Sequence, residues 1–150
     1  MISILDTAFD PWQLIADYQR AMKKDGEFGA CATFVGTMRD FNQGDTVNGM
    51  LLEHYPGMTE KHLEKIVVDA KKQWQLLDTL LIHRVGELLP NDPIVLVAVW
   101  SAHRKDAFEA CRFIMEDLKS KAPFWKKECV VSDDNQAQKN RWVEKNTSGY

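Results

Sequence analysis

"IVLVAVWSAHRKDAFEACRFIMEDLKSKAPFWKKE", residues 94–128, decides the architecture. Ile94 to Trp100 are apolar without interruption, the pattern of a central strand covered on both faces. From about Ala102 to Lys121 the apolar residues change to helical spacing, and Pro123 stops the helix. "FWKKECVV" (124–131) then returns to strand character. A doubly covered strand that feeds an amphipathic helix requires helices layered on a sheet.

The flanking sequence repeats this alternation. Ile2 to Leu5 reads as a short edge strand. Asp10-Pro11 starts a helix, Asp as N-cap and Pro at the first position, with Trp12, Ile15, Ala16 and Met22 at helical spacing. "GACATFVGTMRD" (29–40) reads as a strand entering a loop, and "FNQGDTVNG" (41–49) as a polar surface loop. "MLLEHY" resumes a strand, and Pro56-Gly57 turns the chain. Leu63, Ile66, Val67, Ala70 and Trp74 form one face of a second helix. "TLLIHRVGEL" (79–88) reads as one strand, "SDDNQAQKN" (132–140) as a loop and "RWVEK" as a short final strand. The order implies an α+β sandwich, and the length a single domain over 1–150.

Composition excludes several function classes. A net charge of −3 gives no reason to expect nucleic-acid or anionic-membrane binding. From His103 to Lys127, seven Lys/Arg face four Asp/Glu, so a basic region sits in an acidic protein and suggests a local anionic ligand. "MISILDTAFDPW" lacks the pattern of a signal peptide, and Cys31, Cys111 and Cys129 form no disulfide framework, so the cytoplasm is expected. Cys31 and Cys111 read as small buried hydrophobes. His54, His62 and His83 have no metal-ligand spacing, so neither metal nor cofactor is expected. His83 reads as a core-edge or surface residue of its strand.

Three segments carry chemistry. Ser101 is a plausible N-cap for the long helix, yet His103, Arg104 and Lys105 place cations at its positive end. Arg104 projects within the stripe of Phe108, Cys111 and Met115, where it needs an anion: an internal carboxylate, or a bound phosphate or carboxylate. At the other end, Lys119 borders the apolar stripe, and Lys126 and Lys127 return after a Pro-anchored turn. Strand alternation puts Lys126 and Lys127 on opposite faces, so at most one of them joins Lys119. Paired ammonium groups beside an aromatic wall lower each other's pKa, which suits proton transfer or oxyanion stabilisation. In "FVGTMRD" (34–40), Gly36 permits a close backbone approach and Arg39 follows at the loop mouth.

"FVGTMRD", "LEHYPGMTEKHLEKIV", "IHRVGEL", "SAHR" with the helix after it, and "K-x-x-APFWK-x-E" together resemble the catalytic (large) subunit family of molybdopterin synthase, over about residues 28–145. The resemblance implies an α/β-hammerhead-like sandwich with an additional antiparallel sheet. It implies a sulfurtransferase that converts cyclic pyranopterin monophosphate (precursor Z) to molybdopterin in molybdenum cofactor biosynthesis. Two sulfurs would come from the C-terminal thiocarboxylate of a small ubiquitin-like carrier subunit, within a heterotetramer built on a homodimer. By position it assigns catalysis to Lys119 and Lys126, and substrate binding to Thr37, Met38, Arg39, His103, Arg104, Lys119, Lys126, Lys127 and Glu128. A phosphate-ligand sensor and a pure docking subunit for a ubiquitin-like tail are the rival readings.

Overall fold

The computed structural model describes residues 1–42, 45–131 and 138–143. Among them are nine strands and three helices: β1 (Ile2–Leu5), α1 (Pro11–Met22), β2 (Ala30–Thr37), β3 (Phe41–Asn42), β4 (Asp45–His54), α2 (Met58–Gln73), β5 (Leu76–Arg84), β6 (Gly86–Leu88), β7 (Pro93–Ser101), α3 (Arg104–Lys121), β8 (Phe124–Val131) and β9 (Gln138–Trp142).

Two sheets result. The first runs β1-β5-β7-β2, with β1 parallel to β5 and the other pairs antiparallel. The second is antiparallel in the order β3-β4-β8-β9, with β6 also paired to β4. This is the α+β architecture that the element order implies, with the added antiparallel sheet that the resemblance implies.

The apolar run of β7 is buried as a doubly covered strand must be. Val95, Val97 and Val99 face α2 and α3, against Leu63, Ile66, Ala110, Ile114 and Leu118. Leu96, Ala98 and Trp100 face α1, where Leu14, Ile15, Tyr18 and Met22 pack. The α1 face therefore differs from the expected one, because Trp12 is 66% exposed. The start of α1 is as expected: the Asp10 carboxylate accepts from the Trp12 and Gln13 backbone N–H groups at 2.9 and 3.1 Å.

Several further expectations need correction. The segment 41–49 is not simply a loop, because β3 and the first half of β4 lie in it. A register shift between Val47 and Gly49 explains why the strand is hidden. That bulge puts Val47 and Met50 both in the core although they are three residues apart, which breaks the period of two. "TLLIHRVGEL" is two strands, since Gly86 at φ 86° turns β6 away from the first sheet to pair with β4. Cys31 is exposed, although Cys111 is buried as expected. In the tail, residues 138–140 of the expected loop already belong to β9, while 132–137 and 144–145 lie outside the described residues.

At α3 the N-cap is His103, not Ser101. Ser101 ends β7, where its hydroxyl donates to the Gln75 carbonyl and accepts from the His103 N–H. Arg104 and Phe108 are exposed, so Arg104 does not point into the core. The buried stripe is Ala107, Ala110, Cys111, Ile114, Met115 and Leu118.

Candidate functional site

A cavity of about 650 Å³ opens at the seam between the two sheets, beside the last turns of α3. Three stretches distant in sequence supply its polar wall. Thr37, Met38 and Arg39 enter where β2 ends, Lys119 comes from the end of α3, and Lys126 and Glu128 come from β8. Apolar side chains including Phe34, Met115 and Phe124 complete the lining.

Local structure accounts for each placement. The bulge at Gly36/Thr37 ends the regular pairing of β2 with β7. A Cβ on Gly36 would come within 2.8 Å of Val95 Cγ1, so a larger residue there would force neighbouring side chains to shift. Met38 is held by backbone bonds to Asp92 and Asn91. Arg39 follows, its guanidinium 5.0 Å from the Phe41 ring centroid. In β8, alternation sends Phe124, Lys126 and Glu128 to the cavity. Lys127 goes to the opposite face, 5.5 Å from the Trp142 ring centroid, and does not line the cavity. Cys129 is likewise absent from the cavity wall.

The charges inside are not equivalent. Burial holds the Lys126 ammonium below the usual lysine range, the Lys119 charge adds to this, and Glu128 opposes it. Glu128 is 7% exposed and fully engaged. Asn42 Nδ2 donates to its Oε1 at 2.7 Å, and Arg141 Nη2 to its Oε2 at 3.2 Å, while Arg141 Nη1 reaches Asp45 at 2.7 Å. The carboxylate thus ties β3, β8 and β9 together and forms one side of the cavity.

His103 and Arg104 lie at the other end of α3. Fifteen residues of helix separate Arg104 from Lys119, roughly 22 Å at the standard rise. Within one chain they do not join the cavity.

The residue that sequence reasoning passed over is His83. It is 4% exposed, lines the cavity and stacks on Phe124 with centroids 3.8 Å apart. Its parity with Leu81, which packs against α2 and α3, was the available signal. Burial, assisted by the Lys126 and His54 charges and opposed by the Arg84 carbonyl, lowers its pKa from 6.5 to about 4. The unfolded chain therefore takes up this proton first as pH falls. Stability is lost between pH 6.5 and about 4, by a total on the order of 3 kcal/mol. Urea unfolding at pH 7 and pH 4.5 checks this: His83→Gln should lose about 2 kcal/mol less than the parent over that interval. Equal losses in the two chains would refute it.

A second hollow, of about 300 Å³, lies between α2 and α3. Its cations are matched internally, Lys65 and Lys72 with Asp69 at 2.6 and 2.9 Å, and Lys121 with Asp117. It offers an anion far less than the cavity at the sheet seam.

Comparison with known proteins identifies the family and the fold. The family model described as MoaE protein matches residues 7–121. The molybdopterin synthase catalytic subunit of Ralstonia nicotianae is 58% identical over 118 residues, 79% of this chain and 64% of that protein, so the match spans slightly under two thirds of its length. The Escherichia coli K12 protein of the same name is 50% identical over 134 residues, 89% of this chain and 85% of its own. Among solved structures, a molybdopterin biosynthesis MoaE protein from Burkholderia ambifaria superposes with a TM-score of 0.77 at 45% identity, covering 99% of this chain and 92% of that one. A complex of subunits 1 and 2 of molybdopterin-converting factor from Helicobacter pylori contains a chain with a TM-score of 0.75 at 25% identity, covering 95% of this chain and 90% of that one. A family match across most of the chain, joined to half-identical relatives and the same two-sheet fold, establishes that this chain belongs to the MoaE protein family.

Proposed function

We propose that the chain is the catalytic subunit of a molybdopterin synthase. It converts cyclic pyranopterin monophosphate to molybdopterin, taking two sulfurs from the C-terminal thiocarboxylate of a small ubiquitin-like carrier. The observation that carries this reading is the convergence of Arg39, Lys119 and Lys126 on one half-apolar cavity. Such a wall suits a cyclic phosphate and a thiocarboxylate, both anions, in a setting where charge interactions exceed those on open surface. The two-subunit complex of the Helicobacter relative supports a small-subunit partner.

In each transfer the thiocarboxylate sulfur bonds to a side-chain carbon of the pterin as a C–O bond at that carbon breaks, giving a thioester and releasing the oxygen. Water then adds to the thioester carbonyl, and the tetrahedral oxyanion collapses to leave sulfur on the pterin and a carboxylate on the carrier. Lys119 stabilises that oxyanion. Lys126, whose ammonium already loses its proton more readily than an exposed lysine, assists proton transfer as oxygen leaves the pterin. Arg39, with Thr37 and Met38, holds the phosphate end. His103 and Arg104 would reach a cavity from a second copy, which fits a homodimer flanked by two carriers. Lys127 and Glu128 act in support, Glu128 through its clamp on β3 and β9.

The test is reconstitution. The chain is mixed with thiocarboxylated carrier and cyclic pyranopterin monophosphate, and molybdopterin is measured. Product formation is expected. Tight pterin binding without product would point to a ligand sensor, and carrier binding without any pterin binding to a docking subunit; either result rejects the proposal.

A further inference from the structure

The segment "IHRVGEL" gives nothing to the sulfur-transfer scheme above, yet its histidine is part of the cavity wall. The His83 ring is fixed in three ways. Phe124 covers one face at 3.8 Å between centroids, with the ring planes 13° from parallel. Nδ1 lies 2.9 Å from the Arg84 carbonyl oxygen. A carbonyl only accepts, so Nδ1 carries the proton and Nε2 keeps its lone pair. The residue is paired on both sides within the first sheet, Ile4 on β1 and Val95 on β7, so its strand cannot shift.

The charged and titratable groups around this ring come from several elements. They are Lys126 and Glu128 on β8, Lys119 on α3, Arg39 after β2, Arg84 on β5, and His54 on β4, which lies 3.7 Å from Glu60. Lys126 follows Phe124 by two residues, so the two side chains share the cavity face of β8. The stack that seats His83 therefore sits directly beside Lys126.

We propose that His83 is a positioning residue for Lys126: its Nε2 accepts a hydrogen bond from the Lys126 nitrogen in the substrate complex and aims that nitrogen at the reacting pterin. The inference rests on the sulfur-transfer reading. Charge explains why a histidine suits the position. A carboxylate there would neutralise the cradle that attracts the anionic substrate, and another cation would drive the Lys126 proton away. A neutral acceptor steadies the ammonium form and leaves the positive field intact. Burial keeps the imidazole neutral down to about pH 4, so the acceptor is available throughout the neutral range.

Two variants separate acceptor from packing. His83→Phe keeps an aromatic ring against Phe124 and removes the acceptor, whereas His83→Gln removes the ring and restores an acceptor. Full-length chains are assayed with thiocarboxylated carrier and cyclic pyranopterin monophosphate. The Lys126 titration is followed separately by NMR of 13C-methylated lysines, with Lys126→Arg assigning the signal. For His83→Phe, kcat should fall about 10–100-fold with KM little changed, the range of a hydrogen bond to a charged group. Its Lys126 signal should titrate about one pH unit lower. His83→Gln should recover most of the rate and the parental titration.

A His83→Phe chain with parental kcat and an unmoved Lys126 titration would overturn the proposal. So would a folded His83→Gln chain no better than His83→Phe, because packing alone would then explain the loss. Should the parent chain form no molybdopterin, the sulfur-transfer reading fails on its own. The titration still decides whether His83 holds Lys126.

Discussion

Lys119→Ala should lower molybdopterin formation by about 10²–10³-fold, the loss seen when one oxyanion donor is removed. The lysine stands in the last turn of α3 and on the cavity wall, partly exposed. Its removal forfeits a favourable charge at a helix C-terminus, worth about 0.3–1 kcal/mol, which is small against a typical domain stability of about 5–15 kcal/mol. The variant should therefore fold and still bind the carrier. Single-turnover assays with saturating thiocarboxylated carrier separate the chemical step from docking. Lys119→Arg, which keeps the charge but changes its shape, should recover part of the rate. Turnover at the parental rate by Lys119→Ala would end the assignment.

Trp100→Ala should cost about 3–5 kcal/mol of folding stability without touching the chemistry. The indole is fully buried between the first sheet and α1. Its ring centroid lies 5.6 Å from that of Tyr18, and its Nε1–H donates to Gln19 Oε1 at 3.2 Å. Truncation leaves a void and an unpaired amide on α1. For a chain of this size, each kcal/mol corresponds to about 2–4 °C in Tm, so a drop on the order of 10 °C is expected. Because Trp100 faces α1 while Val95 faces the cavity, activity at low temperature should persist in the folded fraction. A stability change under about 1 kcal/mol would mean that α1 is not packed on β7 as described.

Much of the fold could be read from the sequence because the signals are local. The unbroken run in β7, the Asp10-Pro11 start of α1 and the apolar face of α2 each specify an element without reference to the rest of the chain. The misreadings fall where a local period is interrupted. The bulge in β4 shifts the side of Val47 relative to Met50, and Gly86 moves β6 from one sheet to the other. Both interruptions are set by pairing partners far along the chain. The only local trace of each is a glycine, Gly49 or Gly86, that does not say which partner the strand takes.

For the candidate site the division is similar. Alternation alone assigned Lys126 and Lys127 to opposite faces, and composition alone marked residues 103–127 as a basic region in an acidic protein. Those properties follow from backbone geometry and charge, which every residue carries with it. Which face of β8 would close a cavity depended on the pairing of β4 with β8 and on the end of α3 resting above the seam of two sheets. Tertiary structure alone gathered Arg39, Lys119 and Lys126, left Arg104 a helix length away, and buried His83 against Phe124. The reason is that burial and electrostatic coupling belong to pairs of surfaces, and the chain acquires those surfaces only by folding.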